Sequence, residues 1–152
     1  SGLTRAGAVI LDDQVVEISR GDAKFRLVGL DDKSLADGTL GTLLNNAQNV
    51  ANEDSEKKEL TVVLAHEPQY LARYAGTGVD LVLSGHAHGG QFRLPFVGGI
   101  VAPDQGFFPE YTAGEYYMNG TEMIVSRGLG NSVVPVRLFN YPEIVCVELK
   151  TK

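Results

Sequence analysis

The chain has 152 residues and three histidines, His66, His86 and His88. His86 and His88 lie one residue apart in "SGHAHGGQ", residues 84–91, between glycines. His66 follows "VVLA" much as the pair follows "DLVL". Neutral imidazole is a common metal ligand near neutral pH. On a regular strand, residues 86 and 88 would share a face. Gly85, Gly89 and Gly90 predict a bent loop instead, in which each ring can be aimed separately at one ion or at two. A lone histidine is more often structural or solvated, and His-x-His alone is a weak signal. The stronger signal is that every histidine falls at the end of an inferred strand.

Those strands form the most informative unit of the chain. "LTVVLA", residues 60–65, is β-branched and apolar, as a strand buried on both faces should be. Pro68 suits the first position of a helix, and "QYLARYA" predicts a short one that stops at Gly76 and Gly78. "VDLVLS", residues 79–84, is a second buried strand. Twelve residues separate His66 from Val79, about the minimum for a parallel crossover. Residues 60–84 therefore predict a right-handed βαβ unit. Ligands of parallel sheets bind at the carboxyl ends of the strands, so adjacent strands would bring all three imidazoles to one sheet edge.

The remaining segments predict an α/β domain with mixed sheets and β hairpins. Residues 8–30, "AVILDDQVVEISRGDAKFRLVGL", suggest three short strands in an antiparallel meander. Leu40, Leu43, Leu44, Ala47, Val50 and Ala51 recur at helical spacing over about 12 residues. The charge run "NEDSEKKE" is a solvated loop. "QFRLPFVGGIVAP" gives a strand or two with a bend at Gly98-Gly99, and "DQGFFPEYTAG" an irregular loop. Asn119-Gly120 in "EYYMNGTEMIVS" suits a type I′ hairpin turn. "EIVCVEL" is a final strand, with its single cysteine, Cys146, as a small buried core residue. Tyr116, Tyr117 and Phe139 are expected in sheet packing.

Composition excludes several classes. Hydrophobic residues at 43% and charged residues at 21% are ordinary for a globular chain. A net charge of −6 argues against nonspecific binding to nucleic acid. No apolar run approaches the roughly 20 residues of a membrane helix, which suggests a location in the cytoplasm or at the periphery of the cytoplasmic membrane. Ser1 rather than Met opens the sequence, so an upstream segment stays open. There are 18 glycines, above the usual share of about 7%, and they cluster after residue 76.

"LAHEP", followed about twenty residues later by "LVLSGHAHGGQ", resembles the calcineurin-like metallophosphoesterases. "GGQFRLP", "VSRGLGNS" and "RLFNYPEIVCVEL" are similar to a bacterial phosphodiesterase branch of that family. The resemblance covers nearly the whole chain. It implies part of an α/β/β/α sandwich and a hydrolase with two divalent ions (Mn, Zn, Fe or similar). In that arrangement His66 and His86 would hold one ion and His88 the other. Two ions about 3.5–4 Å apart activate water and offset charge in phosphoryl transfer. The implied substrate is a phosphate ester, either a phosphodiester or a lipid-linked pyrophosphate.

The family's earlier ligand motifs, Asp-x-His, Gly-Asp and Gly-Asn-His-Asp, are another matter. "LDDQ" and "GLDD" lack the histidine, "RGDAKF" holds Gly-Asp only in a turn, and no Asn-His-Asp exists. The chain thus resembles the C-terminal half of such an enzyme, with half its ligands. Weak or partial metal occupancy, inactivity in isolation and homo-oligomerisation through the truncated interface are the expectations. Arg93 and Arg127, in or beside glycine-rich loops, are candidates to hold phosphate, and Gln91 to hydrogen-bond behind the metal ligands. Glu67 and Asp104 are alternatives as metal ligands, with simple solvation the blander reading. Two rival functions stay open: a mononuclear three-histidine metal hydrolase, and a noncatalytic binding module that keeps the fold.

Overall fold

The computed structural model describes residues 2–33, 39–50, 59–132 and 135–150. The elements in chain order are α1 (Gly2–Arg5), β1 (Gln14–Arg20), β2 (Ala23–Gly29), α2 (Thr39–Val50) and β3 (Leu60–Leu64). A 3-10 turn at Pro68–Tyr70 then runs into α3 (Leu71–Tyr74), and β4 (Leu81–Ser84) follows. Beyond it come β5 (Arg93–Leu94), β6 (Gly98–Gly99), β7 (Val101–Ala102), β8 (Gly106–Phe107), β9 (Gly114–Met118) and β10 (Thr121–Val125).

Six strands form one mixed sheet in the order β1-β2-β3-β4-β10-β9. β2, β3, β4 and β10 are mutually parallel, and β1 and β9 pair antiparallel at the two edges. The small pairs β5-β6 and β7-β8 stand apart from it. The expected βαβ unit is present, with β3 parallel to β4. Register explains its stability. Val15, Val28, Val63, Val82, Met123 and Tyr116 lie opposite one another across the sheet. The central four of that row are 0% exposed. Leu40 and Leu44 of α2, with Leu71 and Tyr74 of α3, complete this core.

The opposite sheet face is less covered. Leu64 is 37% exposed, Ile18 40% and Tyr117 69%. An apolar groove of about 590 Å³ runs over Val16, Ile18, Leu27 and Leu64 and ends at His66 and Gly85. Among the described residues, no helix is long and apolar enough to cross a membrane.

Several expected elements differ. Residues 8–11 form no strand. Leu11 lies instead across Gly29, where a Cβ would come within 2.3 Å of the Leu11 Cβ. The kink before β1 is tied down because Asp31 N donates to Asp13 Oδ1 at 3.1 Å. The meander is therefore a single hairpin, β1-β2. The bend expected at Gly98-Gly99 falls at residues 95–97, and the two glycines are β6. Residues 143–149 also form no strand, and Cys146 is exposed rather than buried. A β-prone run needs a neighbouring strand to pair with, and this one is tied to other backbone only at its start, where Glu143 N donates to Gly128 O at 3.1 Å, among the described residues. Tyr116 packs on the core, whereas Tyr117 and Phe139 are each 69% exposed. Ala51 and residues 52–58 of the charge run lie outside the described residues.

Leu71 is 1% exposed. Leu71→Ala should cost about 2–5 kcal/mol of stability in urea denaturation. Tyr117→Ala on the open face should stay within about 0.5 kcal/mol. Equal effects would show that the open face is as well packed as the core.

Candidate metal centre

β3 and β4 end level with each other, Leu64 opposite Leu83. Pairing continues past the strands: Ala65 N donates to Leu83 O at 3.2 Å, and Gly85 N to His66 O at 3.1 Å. These bonds carry His66 and His86 to the same sheet edge. Their rings meet edge to face, with centroids 4.8 Å apart and planes at 73°. The His88 ring goes another way, with Nδ1 3.3 Å from the Gly130 carbonyl.

The loop that carries His86 and His88 is sharply coiled. His86, His88 and Gln91 have φ of 60°, 47° and 45°, and Gly89 and Gly90 have 69° and 75°. Left-handed backbone costs a residue with a Cβ, so its surroundings must hold such a loop. Asn140, 3% exposed, does much of this. Its Nδ2 donates to His88 O at 2.6 Å and to Gln91 O at 3.2 Å. Glycine is required beside it, because a Cβ on Gly89 would sit 2.2 Å from Asn140 Oδ1. Gly90 packs against Gly99, where a Cβ would meet the Gly99 Cα at 2.4 Å.

The partners define tautomers. A carbonyl only accepts, so the Gly130 contact assigns the His88 proton to Nδ1 and leaves the lone pair on Nε2. Burial lowers the His88 pKa below the ordinary histidine value, partly offset by the Gly130 carbonyl. The nearby Arg137, His86 and His66 push it the same way as burial. The lowering favours the neutral imidazole, the form able to bind a metal. His86 Nε2 lies 2.7 Å from Asp104 Oδ2. Donor atoms of Glu67, His86 and Asp104 all lie within 4.8 Å of one another. Imidazole with carboxylate is a donor set that suits a divalent transition metal, so these residues fit such an ion.

The three other candidates from the sequence surround the loop. Arg93 Nη1 donates to Gly89 O at 2.8 Å and to Thr112 Oγ1 at 3.2 Å, so its guanidinium braces the loop. Burial of this side chain lowers its pKa. Arg127 faces Glu143, Nε to Oε2 3.9 Å, and its backbone N donates to the same carboxylate. Gln91 is 6% exposed, and its N donates to His88 O at 3.3 Å. Sequence reasoning passed over Asn140 and Arg137. Arg137 Nη2 donates to Arg127 O at 2.9 Å and to Gly130 O, the carbonyl that also meets His88. The only local hint for Asn140 was a polar residue inside the apolar run "RLFNYP".

Asn140→Ala leaves two loop carbonyls without their donor. It should cost about 1–3 kcal/mol in urea denaturation, and Gly89→Ala should be at least as costly. Stability unchanged in both would show that the loop is held elsewhere. His88 adds a pH dependence. Above about pH 6.5 its ring is neutral in the folded and unfolded metal-free chain alike. As pH falls through that value the unfolded chain takes up the proton first, so stability drops and then levels off below the folded midpoint. His88→Gln should lose this component, read as the shift in urea midpoint between about pH 7.5 and about pH 5.

The sequence of this chain has relatives among known proteins. The chain is 33% identical over 154 residues to the uncharacterized metallophosphoesterase YkuE of Bacillus subtilis, covering 98% of this chain and 49% of YkuE. It is 35% identical over 156 residues to an uncharacterized metallophosphoesterase of Aquifex aeolicus, covering 99% and 54% respectively. It is 33% identical over 147 residues to the phosphodiesterase YaeI of Escherichia coli, covering 97% and 49%. The chain spans about half the length of these curated relatives. No family model matches it. No solved structure matches it either.

Proposed function

The chain belongs to the metallophosphoesterase family, and on that basis we propose that it carries the histidine half of a two-metal phosphohydrolase centre. The remaining ligands lie outside these 152 residues. His66 and His86 hold one ion and His88 the other. Divalent ions supply positive charge against the phosphoryl oxygens and make bound water more acidic. The chain's own residues aim the imidazoles and keep them neutral. The coiled loop clamped by Asn140 does the aiming, and burial of His88 favours its neutral form.

The observation that carries this reading is the convergence of His66 and His86 at the level ends of two parallel strands. Incompleteness is supported by the β-prone run at residues 143–149 that forms no strand and by relatives about twice as long. The phosphodiesterase name of the Escherichia coli relative favours a phosphodiester as substrate. The apolar groove ending at His66 favours a lipid-linked phosphate ester as the second form. The same open face would drive the isolated chain to self-associate.

Hydrolysis of bis(p-nitrophenyl) phosphate with Mn²⁺ tests the reading. The 152-residue chain should be nearly inert. Losing one ion's charge at the phosphoryl group costs several kcal/mol of barrier, roughly 10³-fold or more in rate. A longer protein containing this chain should turn over, and His88→Ala should remove most of that rate with circular dichroism unchanged. Robust turnover by the chain alone would favour a mononuclear three-histidine hydrolase. Unchanged turnover in a folded His88→Ala protein would sink the ligand assignment.

A further inference from the structure

The structure assigns to Glu67, His86 and Asp104 a single divalent-cation site that this chain assembles by itself. The assignment shares only His86 with the proposed two-metal centre, and rests on that reading solely in taking His86 as a metal ligand. Neither Glu67 nor Asp104 belongs to the Gly-His-x-His loop.

Geometry comes first. His86 Nε2 and Asp104 Oδ2 are 2.7 Å apart, and a Glu67 carboxylate oxygen joins them within a 4.8 Å span. Ligand atoms about 2.0–2.2 Å from one ion lie roughly 3–3.5 Å from each other. Small side-chain rotations therefore close this triangle around a cation. The donor types agree, because two carboxylate oxygens and an imidazole nitrogen suit a divalent transition metal. For an ion to bind at Nε2, that nitrogen must carry no proton.

Tertiary structure brings the three residues together. Glu67 precedes the buried Pro68 that starts the 3-10 turn. His86 is carried past β4 by the Gly85–His66 backbone bond. Asp104 sits at the tip of the β7-β8 hairpin, far along the chain from both. That tip is anchored on each side. Gln105 brackets Tyr111, its Nε2 donating to Tyr111 O at 2.9 Å and its Oε1 accepting from Tyr111 N at 3.0 Å. Ile100 N donates to Gly90 O at 3.2 Å and to Phe92 O at 2.8 Å, which fastens the start of β7 to the histidine loop.

The test is Mn²⁺ binding to the 152-residue chain, followed by calorimetry and by electron paramagnetic resonance. One ion per chain is expected. Asp104→Asn and Glu67→Gln should each weaken binding at least about tenfold, and Glu110→Gln, outside the cluster, should leave it unchanged. On the unsubstituted chain, substoichiometric Mn²⁺ should broaden the Glu67, His86 and Asp104 amide resonances first, a readout that survives if a variant fails to fold. No binding, or two ions per chain, overturns the site. So does loss of binding in His88→Gln with Asp104→Asn unaffected, which would assign the ion to the imidazole set. Dependence on Glu67 and Asp104 upholds the site even where the phosphohydrolase assay fails.

Discussion

Parallel pairing of β3 with β4 puts Leu64 opposite Leu83, and the histidines inherit their positions from that register. A slip of one residue would turn every side chain of a strand to the other face. It would move Val63 and Val82 out of the core and carry His66 away from the loop holding His86. The row of valines and Met123 across the sheet resists such a slip, because each of these side chains is fully buried only in this register. The placement of polar donors at the sheet edge is thus enforced by apolar packing between the sheet and α2 and α3.

Much of this was legible along the chain, for physical reasons that differ by segment. The run "LTVVLA" and the Pro68 start of the turn carry their own local signals, and so does Asn119-Gly120, whose φ values of 46° and 84° suit a type I′ turn. Residues 8–11 and 143–149 have equal β propensity and form no strand, because propensity does not name a pairing partner. Cys146 was misplaced for the same reason. Its burial presumed a neighbour for the run in which it sits.

The site divides along the same line. That His66 and His86 share an edge follows from strand ends and could be read locally. Asn140 could not, since its bonds to the histidine loop span 52 and 49 residues. Arg93 looked like a free cation in a glycine-rich stretch, and it braces the Gly89 carbonyl. The meeting of Asp104 with His86 depends on how a hairpin of two-residue strands lies on the loop, which no periodicity encodes.

The distance between His88 and Asn140 also sets a sequence of events during synthesis. The histidine loop leaves the ribosome 52 residues ahead of the side chain that clamps it. At about 5–20 residues per second the delay is roughly 3–10 s, long compared with the formation of a hairpin or a short helix. For that interval the nascent loop carries its histidines without the amide that holds their backbone in left-handed geometry. The loop's final geometry is therefore deferred until almost all of the described chain has been made.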